Sequence, residues 1–195
     1  MKKYFPVLQY TNVPNTITTV GLIFGIAACY FLAEGSMQGT LICLFFSALM
    51  DLIDGFFADK LKQQTQFGQY VDSLVDFFVC CIIPIGMVYA FIGNYLILFF
   101  ALAFYCICGL WRLAYFNVME AKTYFIGLPV PGAMLMVAIA IWSVASYGLP
   151  FWIIAAVLFL TGLLMVSFIK LQKYGLWQKT FWVLGLFFLA VIVAS

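Results

Sequence analysis

The chain has 195 residues, 67% of them hydrophobic, 19% aromatic and only 8% charged, with no histidine and a formal net charge of +2. That balance leaves no room for a soluble domain, and no nucleic-acid partner is expected. Apolar runs of about 20 residues recur almost without break, the length a helix needs to span a bilayer. The sequence therefore predicts an all-α polytopic membrane protein, one helical bundle with no cleavable signal.

Residues 1–15, MKKYFPVLQYTNVPN, set Lys2 and Lys3 beside Tyr4, Phe5, Leu8 and Tyr10, which suits a short interfacial segment. Pro14, Asn15 and Thr16 then supply helix-start chemistry. Breaks in hydrophobicity predict seven spans near 16–33, 39–58, 68–92, 95–117, 127–147, 150–170 and 177–194. EGSMQG, IGN, YGLP and KYG punctuate the apolar runs. Gly21 and Gly25 form a GxxxG in the first span, either a close-packing face or ordinary membrane-helix glycine. Cys29, Cys43, Cys80, Cys81, Cys106 and Cys108 all lie in apolar runs and read as packing residues, because zinc-type spacing and polar flanks are missing.

With the N-terminus inside, all nine basic residues fall on or near the cytoplasmic side: Lys2, Lys3, Lys60, Lys62, Arg112, Lys122, Lys170, Lys173 and Lys179. This is a positive-inside pattern. The chain is expected to divide into a segment at 1–15, a transmembrane core at 16–170 and a C-terminal span at 171–195.

Five of the seven carboxylates, Asp51, Asp54, Asp59, Asp72 and Asp76, lie within one 26-residue stretch, DLIDGFFADKLKQQTQFGQYVDSLVD. Asp51, Asp54, Gly55 and Ala58 share one helix face at the end of span two, and Gly68, Asp72 and Asp76 share one at the start of span three. The polar stretch DKLKQQTQF makes these spans antiparallel neighbours, so the two acid faces can meet. A carboxylate in a membrane helix costs about 2.5–3.5 kcal/mol at the bilayer centre, so four together call for a counter-cation. Oxygen-only ligands favour Mg²⁺ or Mn²⁺, with Ca²⁺ also compatible. The small residues beside the acids leave space for a ligand, and phosphate chemistry suits such a site. The alternatives are a proton or cation pathway, which acids at one end of the bundle fit poorly, and a merely solvated interfacial cluster, which fits Asp59.

Written as a pattern, these residues resemble the signature of the CDP-alcohol phosphotransferase family. Asp51, Asp54, Gly55, Ala58, Gly68, Asp72 and Asp76 match seven of its eight fixed positions; the eighth, an arginine in the family, is Asp59 here. CGLWRLAYFN at 108–117 followed by YFIGLPVPGA at 124–133 is similar to the phosphatidylserine synthase branch, with Tyr115 in place of a second arginine. The resemblance extends over about residues 12–170.

It implies a six-helix core plus a C-terminal span, and a homodimer in the cell membrane with its site at the cytoplasmic face. The implied reaction is metal-dependent transfer of a phosphatidyl group from CDP-diacylglycerol to the hydroxyl of L-serine, with release of CMP. Asp51, Asp54, Asp72 and Asp76 are then the metal ligands, and Asp76 also the general base. Asn15, Thr16, Gly55, Ala58, Asp59, Thr65 and Gly68 fall at positions that line the CDP-lipid. Arg112 and Asn117 are the acceptor-binding candidates. Arg112, the only arginine, either clamps a carboxylate or phosphate or snorkels to lipid phosphate. Pro129 and Pro131 are expected to break span five near its start, either opening backbone groups toward the acceptor or simply kinking the helix. Asp59 and Tyr115 remove positive charge beside the site, which leaves other acceptors open: glycerol phosphate, inositol phosphate or an amino-alcohol. A non-catalytic or transport protein on the same scaffold is the alternative of another class.

Overall fold

A computed structural model describes residues 9–119, 124–172, 185, 186 and 190. Its helices are α1 (Val13–Ala33), α2 (Met37–Lys60), α3 (Gln66–Phe77), α4 (Ile83–Phe91), α5 (Leu96–Val118), α6 (Val130–Tyr147) and α7 (Trp152–Met165). A π-helical turn, Phe78–Ile82, joins α3 to α4, so that Gln66–Phe91 forms one continuous span. Among the described residues, five helices are long and apolar enough to cross a membrane, and Trp152–Met165 is a shorter apolar helix. The protein is an all-α, multi-pass integral membrane protein. The predicted seventh span, 177–194, lies outside the described residues apart from isolated positions, and so does most of the interfacial segment at 1–15.

Side-chain caps decide where the first helices begin. Asn12 caps α1, accepting from the Asn15 amide at 2.8 Å, with Pro14 in the first turn. The helix thus starts ahead of Asn15 and Thr16, with the cap on Asn12, three residues before Asn15. Ser36 caps α2 through the Gly39 amide at 3.2 Å, and Thr65 caps α3 through the Gly68 amide at 3.0 Å. Because α2 continues through Lys60, the polar turn is only residues 61–65, shorter than DKLKQQTQF. Asp59 and Lys60 belong to the last turn of α2.

Gly21 and Gly25 serve packing inside this chain. A Cβ on Gly21 would sit 3.3 Å from Met50 Cβ, and one on Gly25 would sit 2.7 Å from Val79. Ser47 on α2 reaches across to donate to the Gly21 carbonyl at 2.8 Å. The missing side chains therefore let α1 approach α2 and the π turn. The buried core runs through Leu44, Val79, Met87, Leu98, Val137, Ile141 and Leu158, drawing one stripe from each surrounding helix.

Two features were not legible as helix. Tyr124–Ile126 pairs antiparallel with Lys170–Gln172, a two-stranded ribbon between the segments that leave α5 and α7. Next to it, the Gly127 amide donates to the Ile169 carbonyl at 2.9 Å and the Leu128 amide to the Leu164 carbonyl at 3.0 Å. The Leu164 carbonyl belongs to the last turn of α7, where helices leave acceptors open, and α7 stops at Met165, short of the expected 170. Pro129 and Pro131 do not break span five: Pro129 is the N-cap of α6 and Pro131 lies in its first turn, where a missing N–H costs nothing. The ribbon puts two segments expected on the same membrane face side by side. Asn12 Nδ2, which reaches the Gln63 carbonyl at 3.5 Å, joins the start of α1 to the α2–α3 turn.

Gly127 is the tight point of this end. Its φ is +76°, and a Cβ there would lie 2.1 Å from the Met165 carbonyl oxygen. Gly35 also has a positive φ, of +71°, but nothing lies within 4 Å of its Cβ position. Gly127→Ala is expected to lower stability by about 2 kcal/mol or more, and Gly35→Ala by about 1, since only the first adds a backbone clash to the left-handed strain. Unfolding of the two variants in one detergent checks the difference.

Candidate functional site

The acid faces meet as their spacing requires. Asp51, in the third-last turn of α2, and Asp72 and Asp76, one turn apart on α3, bring carboxylate oxygens within 4.8 Å of one another. Asp76 is buried, and Asp51 and Asp72 are half-buried. Three oxygen donors from two antiparallel helices, with no imidazole in the chain, form a donor set suited to a hard divalent cation. The residues present fit such an ion.

Asp54 takes a separate position. It is only 6% exposed, lies outside the three-carboxylate group and accepts a hydrogen bond from Thr18 on α1. Thr18 is 5% exposed, and its hydroxyl also lies 3.1 Å from the Pro14 carbonyl. One hydroxyl proton thus faces two acceptors, its own helix and the carboxylate of the next. Nothing in the sequence separated Thr18 from the neighbouring Thr16 and Thr19, whose hydroxyls, among the described residues, donate to carbonyls one turn back.

Arg112 is buried, 8% exposed, on the inward face of α5, and stands within electrostatic reach of Asp76, Asp51 and Asp72. Its guanidinium also lies 5.2 Å from the Phe116 ring centroid. It does not snorkel away from the acids. Asn117, farther along α5, donates from Nδ2 to Ser73 Oγ at 2.8 Å. Its Oδ1 is buried and, among the described residues, has no hydrogen-bond partner. Ser73 follows Asp72 directly, so this bond ties the end of α5 to the acid helix. Sequence reasoning singled out Asn117 but not Ser73.

The residues expected around the CDP-lipid divide into two kinds. Gly55 is exposed, with nothing within 4 Å of its Cβ position, and Ala58 is half-buried one turn on. They leave open space beside the acids. Gly68 does not: the place of its Cβ is taken by Asn15 Oδ1, 2.6 Å away. Asn15 Nδ2 in turn donates to the Tyr10 carbonyl at 2.8 Å, and Tyr10 stacks on Phe67 at 4.5 Å. Asn15, Thr65 and Gly68 therefore form one cluster where α1 meets α3, while Thr16 bonds back to the Asn12 carbonyl at 2.8 Å. Asp59 accepts from Gln64 across the α2–α3 turn. Lys60 is exposed, with its ammonium 5.5 Å from the Phe56 ring centroid, and Tyr115 is 50% exposed.

Residues 11–167 match the family model described as CDP-alcohol phosphatidyltransferase. The chain belongs to that family, and it is an enzyme of that type. It is 31% identical over 172 residues to the CDP-diacylglycerol–serine O-phosphatidyltransferase of Methanocaldococcus jannaschii, covering 87% of this chain and 78% of that protein. A protein of the same name from Helicobacter pylori is 29% identical over 193 residues, covering 93% of this chain and 79% of its own length. The CDP-diacylglycerol–glycerol-3-phosphate 3-phosphatidyltransferase of Aquifex aeolicus is 43% identical over 65 residues, 33% of this chain and 36% of that protein.

The Thr18 contact is open to a direct test. Thr18→Val keeps the shape but leaves buried Asp54 without that donor, and is expected to cost about 1–3 kcal/mol. Thr18→Ser retains the hydroxyl and is expected to recover most of it. Unfolding measured in chelator compares the two without any contribution from bound cation.

Proposed function

We propose that this phosphatidyltransferase moves a phosphatidyl group from CDP-diacylglycerol to the hydroxyl of L-serine, releasing CMP. The observation that carries the reading is the convergence of Asp51, Asp72 and Asp76 from two helices beside the open space at Gly55. A divalent cation, Mg²⁺ or Mn²⁺, held by these three with Asp54 at the margin, supplies charge neutralisation and polarisation of the diphosphate when bound. The family resemblance supports the same ion class.

The rest falls to the chain itself. The acceptor oxygen forms a bond to the lipid-side phosphorus as the phosphorus–oxygen bond to CMP breaks, and the acceptor proton passes to Asp76. Burial of Asp76 keeps water from competing for that proton. Gly55 and Ala58 give the CDP moiety room, with Thr65, Gly68, Asn15, Thr16 and Asp59 along its edge. Serine offers a carboxylate that the buried Arg112 guanidinium complements, with Asn117, farther along the same helix, as the second acceptor-binding residue. The basic residues and the paired segments at one end of the bundle support a site at the cytoplasmic face of the cell membrane. A homodimer rests on the family resemblance alone, because Gly21 and Gly25 are used within the chain.

Glycerol 3-phosphate is the second acceptor to weigh, favoured by the name of the Aquifex relative. A screen of serine, glycerol 3-phosphate, inositol phosphate and ethanolamine with CDP-diacylglycerol and Mg²⁺ or Mn²⁺ decides, scored by CMP and by lipid product. Serine-dependent CMP release is expected. Release with glycerol 3-phosphate alone would move the acceptor assignment, and release with none would favour a non-catalytic or transport role. Asp76→Asn is expected to reduce turnover by about 10²-fold or more, the usual contribution of a general base, while some cation binding survives. Turnover close to that of the unaltered protein in this variant would remove Asp76 from the role.

A further inference from the structure

The span that carries Asp72 and Asp76 changes its winding directly behind them. After Phe77 the chain passes through the π turn Phe78–Ile82, in which the Ile83 amide bonds five residues back, to the Phe78 carbonyl. Each helical residue turns the chain by about 100°, so a widened turn resets the rotation of everything on one side relative to the other. The acid face of α3 and the core face of α4 (Ile83, Pro84, Met87 and Val88) therefore have their relative orientation fixed at this turn.

Pro84 explains why the turn widens. In an α-helix the residue at 84 would donate to the carbonyl of Cys80. Proline has no N–H, and its ring presses on that carbonyl. The carbonyl finds a donor on another helix: Tyr105 Oη of α5 donates to Cys80 O at 2.9 Å. Tyr105 is 0% exposed, and a phenol buried that deeply stays only where its hydroxyl is paired. Contact between these elements is close on both sides of the bond. Cys106 Sγ lies 3.6 Å from the Cys81 carbonyl, and a Cβ on Gly109 would lie 2.7 Å from Cys81 Sγ.

Tyr105 also shares a face with Arg112. The buried residues of α5 run Leu98, Ala101, Leu102, Tyr105, Cys108, Gly109, Arg112, and positions seven apart lie nearly in line along a helix. One hydrogen bond thus joins the helix bearing the buried guanidinium to the turn that orients two of the three clustered carboxylates.

We propose that Tyr105 is a positioning residue for the acid cluster: its hydroxyl holds the π turn behind Asp76 and so sets where Asp72 and Asp76 stand relative to Asp51 and Arg112. This rests on the reading of the three carboxylates as a divalent-cation site.

The test is Mn²⁺ binding to the purified full chain, followed by the electron paramagnetic resonance of free Mn²⁺, alongside unfolding in chelator. Tyr105→Phe removes only the hydroxyl. It is expected to weaken Mn²⁺ binding by about tenfold, the scale of one buried hydrogen bond, and to reduce the stabilisation that Mn²⁺ confers. Pro84→Ala returns an N–H to the turn, so the Tyr105→Phe effect on Mn²⁺ binding measured in that background is expected to fall below about twofold, because both changes act on the same Cys80 carbonyl. Mn²⁺ affinity in Tyr105→Phe equal to that of the unaltered protein, or the same loss in both backgrounds, overturns the role of Tyr105. If Tyr105→Phe alone does not fold, a Pro84→Ala/Tyr105→Phe protein that folds and binds Mn²⁺ as Pro84→Ala does supports the proposal, and one that stays unfolded or loses binding overturns it. Failure of the unaltered protein to bind Mn²⁺ overturns the cation site itself, and this proposal with it.

Discussion

Three carboxylates within 4.8 Å of one another in an apolar bundle repel each other and resist dehydration, and much of the surrounding structure keeps them there. The α2–α3 turn is short and is crossed by the Gln64–Asp59 hydrogen bond, so neither helix can slide far past the other. Thr65 caps α3, Asn15 fills the space over Gly68, and Ser73 binds Asn117. Those contacts tether the acid helix to α1 on one side and to α5 on the other. Among the described residues, Arg112 is the cation buried near all three acids. One guanidinium does not neutralise three carboxylates, and this imbalance is the physical argument for a divalent ion.

The same constraint explains why polar side chains appear so deep in the bundle. Thr18, Ser47 and Tyr105 each donate across to another helix: to Asp54, to the Gly21 carbonyl and to the Cys80 carbonyl. Such bonds average under 1 kcal/mol between membrane helices. Their value here lies in direction, because each fixes a rotation that apolar packing alone would leave loose. All three act on α1, α2 or the α3–α4 span, the elements that define the acid cluster.

Much of this was legible in the chain because spacing survives folding. Positions 51, 72 and 76 had to share facing helix surfaces once the intervening polar turn made the spans antiparallel, and the structure brings them together. The separate setting of Asp54 was not legible: it depends on Thr18, and a threonine that bonds across helices looks like one that bonds to its own. The π turn had a visible cause in Pro84, but the sequence does not show which residue answers the orphaned carbonyl. The ribbon at 124–126 and 170–172 was hidden because its strands are three residues long and far apart in sequence. Gly127, within FIGLP, carried the strongest local signal of that corner, since its approach to the Met165 carbonyl admits no side chain.

Charge arithmetic also bears on the acceptor. Asp59 and Tyr115 stand where the family resemblance expects arginine, and the chain contains one arginine in all. Lys60, the next residue, holds its ammonium 5.5 Å from the Phe56 ring centroid. Glycerol 3-phosphate brings a dianion and no positive group, so it asks more of Arg112 than a single guanidinium already facing three carboxylates can give. Serine brings one negative and one positive charge, so its ammonium offsets its own carboxylate beside the acid cluster. Under the proposed reading, charge balance beside three carboxylates weighs against a dianionic acceptor and is compatible with a zwitterion such as serine.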